Sequence, residues 1–268
     1  MSEAPDVRNQ PAKQPHEPIL NIPPVVAAII GALVVVHAAR TLLTPLQDRE
    51  LLLEFAFIPA RYADTLAPID EWPGGWGAAV WTFVTHAFLH AGVLHLAVNI
   101  AWLLPFGTAI ARRFGAVRFL LLFVVTAAAG AAAHLLTHWG EADIVVVVGA
   151  SGAVSGIMAA AIRFVFQRGG PLHLWAQTSV EAYRIPAAPL TQSLRDARVL
   201  TFLVIWFAIN LLPAVGAVSM PGVEGTIAWQ AHFGGFLAGL LLFPLFDPVA
   251  GMHRVNGNGQ PQSDPPDH

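Results

Sequence analysis

Charge is nearly absent from six long stretches of this chain, and that absence limits its possible folds more than any other feature. Apolar runs lie at about residues 19–43, 94–110, 117–138, 151–166, 199–212 and 228–246. A helix needs roughly 20 apolar residues to cross the hydrocarbon of a bilayer. The first, second, third and sixth runs meet that length, and the fourth and fifth do so with interfacial residues added. Only 12% of the 268 residues are charged, about half the roughly 25% that a water-soluble domain carries. The same composition excludes a disordered chain. The expected fold is therefore all-α: a polytopic membrane protein with six transmembrane helices. A net charge of −3 gives no reason to expect nucleic acid. The sequence has no cysteine, which removes disulfides, thiolate nucleophiles and zinc–cysteine sites.

The flanks divide the chain into three parts. Residues 1–18 are Pro-rich and polar and read as a disordered cytoplasmic tail. Residues 19–247 form the membrane domain, and residues 248–268 read as a second flexible cytoplasmic tail. No cleavable signal peptide is expected, because the first apolar run follows a mixed-charge segment. Arginine sets the orientation. Arg112, Arg113 and Arg118 follow the second run, and Arg168, Arg184, Arg195 and Arg198 follow the fourth. The links after the third and fifth runs contain neither Lys nor Arg. The positive-inside rule then places both termini in the cytoplasm. The short tails and the lack of an organelle-targeting segment point to a prokaryotic plasma membrane. The long link at about 44–93 falls outside. Its Trp72, Trp76 and Trp81 suggest short helices lying on the outer leaflet.

Polar residues inside such spans are costly, so each needs a reason. Gly149-Ala150-Ser151-Gly152 opens the fourth run, where a helix start leaves backbone amides exposed. Taken alone it reads as a Ser cap followed by a close-packing Gly152/Gly156 pair. Ala231-His232-Phe233-Gly234-Gly235 opens the sixth run, and Gly235 and Gly239 make a second close-packing face. Two such faces let the fourth and sixth helices meet backbone to backbone, which brings Ser151 and His232 to one depth. A Ser within reach of a neutral His is the minimum apparatus for nucleophilic catalysis. No acid is placed to complete a triad, so the expectation is a dyad. His95 and Asn99 share one face of the second helix and both can donate to an oxyanion. His86 and His90 read as ties between the outer link and the membrane body. No metal is expected: the spacing of His86, His90 and His95 does not suit one, and His134 with His138 reads as an interfacial pair. The core also lacks the carboxylates that coupled transporters usually need.

Together these clusters resemble the rhomboid family of intramembrane serine proteases. GASG at 149–152 is similar to the family's GxSG motif, AHFGGFLAG at 231–239 to its AHxxGxxxG motif, and HAGVLHLAVN at 90–99 to its HxxxxHxxxN motif. The resemblance covers roughly residues 20–247 and implies a six-span bundle. It implies Ser151 as nucleophile and His232 as general base. It also implies an oxyanion hole from the Ser151 amide, His95 and Asn99, with Gly149, Gly152, Gly235 and Gly239 in support. The implied substrates are transmembrane helices, with the lipid bilayer as the other partner and no cofactor. The fifth run and the link Pro213 to Ile227 would form a lateral gate and cap. Nothing in the sequence assigns an oligomeric state. The alternative is a non-catalytic relative that binds client helices. Three family positions differ. Thr82 follows Trp81 where many relatives have Arg. Ala111 stands where many have Glu. Ser155 stands where some have an aromatic residue that stacks on the base.

Overall fold

The computed structural model describes residues 22–63, 66–171, 180–214 and 228–249. The expected N-terminal tail, the C-terminal tail from 250 onward and residues 215–227 of the expected cap lie outside the described residues. The described residues are helical apart from turns, short 3-10 segments and one isolated β-bridge. In chain order the helices are α1 (Pro24–Arg40), α2 (Pro45–Phe55), α3 (Gly75–Thr85), α4 (Val93–Phe114), α5 (Ala116–Thr137), α6 (Ser151–Ala161), α7 (Leu190–Ser193), α8 (Ala197–Ala214) and α9 (Trp229–Phe246). The all-α expectation holds, and each apolar run is a helix. By length and composition α4, α5 and α9 can cross a membrane, while α1, α6 and the apolar part of α8 are shorter.

α6 forms the centre. Every residue from Gly152 to Ala161 is buried, and α4, α5 and α9 pack around it. α1 lies against α4, and α8 lies against α9. Outward faces are apolar: Leu120 and Leu121 on α5, Val204 and Ile205 on α8, and Leu241 and Leu245 on α9 are exposed. In water so much exposed hydrocarbon would be an association hazard, whereas a lipid environment covers it without cost. The chain is an integral membrane protein.

α6 is shorter than the run at 151–166 suggests. After Ala161 the regular ladder gives way to turns, with both Phe164 N and Val165 N donating to Ala161 O at 3.0 Å. Arg163 explains the change. Its guanidinium donates to the carbonyl of Ala188 at 3.0 and 2.8 Å, and its own carbonyl accepts from Ala188 N at 3.1 Å. These contacts draw the chain out of the helix toward the following loop.

The outer link contains short helices, as expected, and it is closely tied down. α2 starts with a capping box, in which Thr44 and Gln47 satisfy each other's backbone amides. Arg40 at the end of α1 makes two hydrogen bonds to Asp48 at 2.7 and 3.0 Å and donates to His90 O at 2.8 Å. Arg61 is fully buried. It donates to the carbonyls of Leu53 and Pro73 and sits over the Trp72 ring at 5.5 Å. A guanidinium thus organises this link although no Arg follows Trp81. Phe57 and Val147 exchange backbone hydrogen bonds at 3.1 and 2.9 Å, which fastens the link to the segment leading into α6.

At the opposite end Arg113 meets Asp247, just beyond α9, in a bidentate pair at 2.9 and 2.8 Å. Arg113 also donates to the carbonyls of Tyr183 and Ile185 at 2.9 and 2.8 Å. With Ala111 where many relatives have Glu, the carboxylate that meets Arg113 comes from a residue distant in sequence but at the same end of the bundle. Removing one partner of a buried ion pair leaves the other charge uncompensated, typically at ~3–5 kcal/mol. Asp247→Ala is expected to lower thermal stability in detergent by that order, as read from the unfolding midpoint.

Candidate active site

The site begins with Gly149. Two residues before it Val147 bridges to Phe57, and the chain must then turn into α6. Gly149 takes φ +122°, a conformation side chains rarely adopt. A Cβ at this position would also lie 2.7 Å from Cε1 of His95. The Gly149 N–H donates to the carbonyl of His86 at 2.9 Å, and the Ala150 N–H points to Nε2 of His90 at 3.5 Å. These contacts give His86 and His90 the tying role expected of them, and they hold the loop that carries the serine. The His86 ring donates to Thr82 O at 2.8 Å. Burial pushes the His86 imidazole down to about 4 and, with neighbouring His95 and His37, the His90 imidazole down to about 3. Both are neutral near pH 7, as acceptors and packing groups must be.

Ser151 is the first residue of α6. Its N–H belongs to the first turn, where no carbonyl a turn earlier is available to accept it. His232 is in the first turn of α9. The Ser151 hydroxyl and His232 Nε2 are 2.7 Å apart although the residues are 81 positions apart in sequence. Glycine makes that approach possible. A Cβ on Gly235 would overlap the carbonyl oxygen of Gly152, and one on Gly239 would overlap that of Gly156. Gly130 on α5 faces Ala231 O in the same way, at 2.6 Å from the position of its would-be Cβ. The expected backbone-to-backbone packing of the fourth and sixth apolar runs is thus present at these glycines.

His95 and Asn99 lie one turn apart on α4. The His95 ring lies against Gly149, beside Ser151. Asn99 is buried, and its Nδ2 donates to His95 O at 2.9 Å. That bond uses one of two amide hydrogens and leaves the second free for another acceptor. His134 and His138 stack with ring centroids 4.0 Å apart. Among the described residues no group of three or more His, Asp or Glu could hold a metal ion.

One residue escaped the sequence reading. Asn210, buried on α8, accepts a hydrogen bond from Nδ1 of His232 on its Oδ1. Its Nδ2 donates to Trp206 O at 2.6 Å. The available signal was an amide side chain inside an apolar span, which is costly unless partnered. The partner lies on another helix, so spacing alone could not identify it.

A family model described as Rhomboid domain matches residues 77–247. Among similar proteins, RHOMBOID-like protein 6, mitochondrial, of Arabidopsis thaliana is 28% identical over 79% of this chain and 62% of its own length. RHOMBOID-like protein 4 of the same plant is 30% identical over 60% of this chain and 33% of its own length. Rhomboid protease GlpG of Yersinia pestis is 26% identical over 61% of this chain and 47% of its own length. The chain thus spans between a third and somewhat under two thirds of the length of these relatives.

Proposed function

The chain belongs to the rhomboid family, and we propose that it is an intramembrane serine endopeptidase acting on the transmembrane helices of other membrane proteins. The observation that carries this reading is the 2.7 Å contact between Ser151 Oγ and His232 Nε2. In the proposed reaction the hydroxyl attacks the scissile carbonyl while Nε2 takes its proton. The Ser151 N–H, the His95 ring and the second Nδ2 hydrogen of Asn99 receive the developing oxyanion. His232 then protonates the leaving amine, and water attacks the resulting ester to release the second product. The substrate helix would unwind near its outer end to present an extended segment with a small residue before the cut.

We read the core as six-spanning with both termini cytoplasmic. The arginines after α4 and α6, set against links free of Lys and Arg after α5 and α8, support this orientation. We place it in a prokaryotic plasma membrane, with GlpG proteins of Haemophilus influenzae and Yersinia among its relatives. The mitochondrial name of another relative marks the competing location.

The test is cleavage of a single-span substrate by the purified protein in liposomes. Cleavage confined to the outer part of the substrate span supports the reading. Binding of the span with no cleavage would favour a client-binding relative instead. Among active variants, His95→Ala is expected to reduce kcat about 10²–10³-fold, the usual effect of losing an oxyanion donor. Asn99→Ala is expected to have a smaller effect, because its Nδ2 already donates to His95 O and has only one hydrogen left for the oxyanion. Initial rates at saturating substrate check both.

A further inference from the structure

We propose that Asn210 is a positioning residue that fixes His232 in the Nδ1–H tautomer and aims Nε2 at Ser151. The inference rests on the protease reading for its consequence but on geometry for its content. The Asn210 amide has only one way to face. Its Nδ2 donates to Trp206 O at 2.6 Å, a full turn back on α8, so Oδ1 is the atom presented to His232. An amide oxygen only accepts. The proton on this side of the imidazole must therefore be on Nδ1, and Nε2 is left with the lone pair that a general base needs.

The register of α8 on α9 is set by aromatic packing on either side of this bond. Trp206 stacks on Phe236 with centroids 4.6 Å apart and 28° between planes. Phe207 contacts Phe233 at 5.1 Å. Both Trp206 and Asn210 are buried. A neutral amide also differs in kind from a carboxylate, since it orients the imidazole without adding charge to it. Among the described residues the side chains hydrogen-bonded to the His232 ring are Asn210 and Ser151, neither of them a carboxylate.

Two variants and one spectroscopic readout test the assignment. Asn210→Leu removes the acceptor and is expected to lower kcat about 10–100-fold with KM unchanged, from the loss of one buried hydrogen bond to the base. Asn210→Asp keeps the acceptor but adds a negative charge, which favours the imidazolium. Its acid limb of kcat against pH is expected to move to higher pH. A residue that only packs α8 against α9 would leave that limb where it is. Wild-type kcat and an unmoved limb in Asn210→Asp would overturn the proposal, even if Asn210→Leu fails to fold. Nitrogen NMR of the imidazole is independent of turnover. The wild type is expected to show His232 protonated at Nδ1, and Nδ1 unprotonated in an enzyme that cleaves would overturn the positioning role alone. An inert wild type with Nδ1 protonated would support the positioning role and count against the protease reading.

Discussion

Ser151→Ala and His232→Ala are each expected to reduce substrate cleavage by ~10⁴-fold or more, because nucleophile and base act as a unit. Combining them is expected to cost little beyond either alone. Among the described residues no substitute nucleophile is at hand. The sequence has no cysteine, and Ser155, the next serine along α6, is buried one turn deeper. The Ser151→Ala protein is expected to remain folded, since among the described residues the hydroxyl bonds only to His232 Nε2. Cleavage assays with thermal unfolding of the same preparations separate lost chemistry from lost structure.

Gly235→Leu and Gly239→Leu are expected to have the second largest effect, and by a different route. Each would place side-chain atoms where α6 has a backbone carbonyl, Gly152 O in one case and Gly156 O in the other. A flexible side chain can move aside, but a helix backbone cannot do so without separating α6 from α9. Overpacking of this kind costs typically 1–3 kcal/mol and more where backbone must move, so ~3 kcal/mol or more is expected here. Because Ser151 and His232 sit on the two helices that would part, activity is expected to fall further than stability. Gly31 on α1 is the control. A Cβ there meets nothing within 4 Å, and Gly31→Ala is expected to leave unfolding midpoint and cleavage rate near wild type.

The helices were legible because hydrocarbon is an exacting solvent: few sequences other than long apolar runs satisfy it. The same economy exposed Ser151, His232, His95 and Asn99 as polar residues in expensive places. The glycines at 152, 156, 235 and 239 were readable as contact faces, since in lipid small residues are what allow helices to approach. Long-range electrostatics were not legible. Ala111 stands where many relatives have Glu, and the carboxylate that Arg113 meets comes from Asp247, 134 residues later. Thr82 follows Trp81 where many relatives have Arg, and the guanidinium that ties this link comes from Arg61 elsewhere in it. Asn210 completes the pattern, because a hydrogen bond between helices has no sequence period to betray it. The early end of α6 at Ala161 has the same origin, since the Arg163 carbonyl accepts from Ala188 N and its guanidinium donates to Ala188 O, 25 residues later.

The central claim is that His232 activates Ser151, and covalent labelling tests it without requiring the natural substrate. The purified protein would be treated with a fluorophosphonate probe and the modified residue found by mass spectrometry. An adduct on Ser151 is expected in the wild type, and its loss in His232→Ala, with the latter protein still folded. No adduct on the folded wild type, or an equal adduct in His232→Ala, would contradict the central claim.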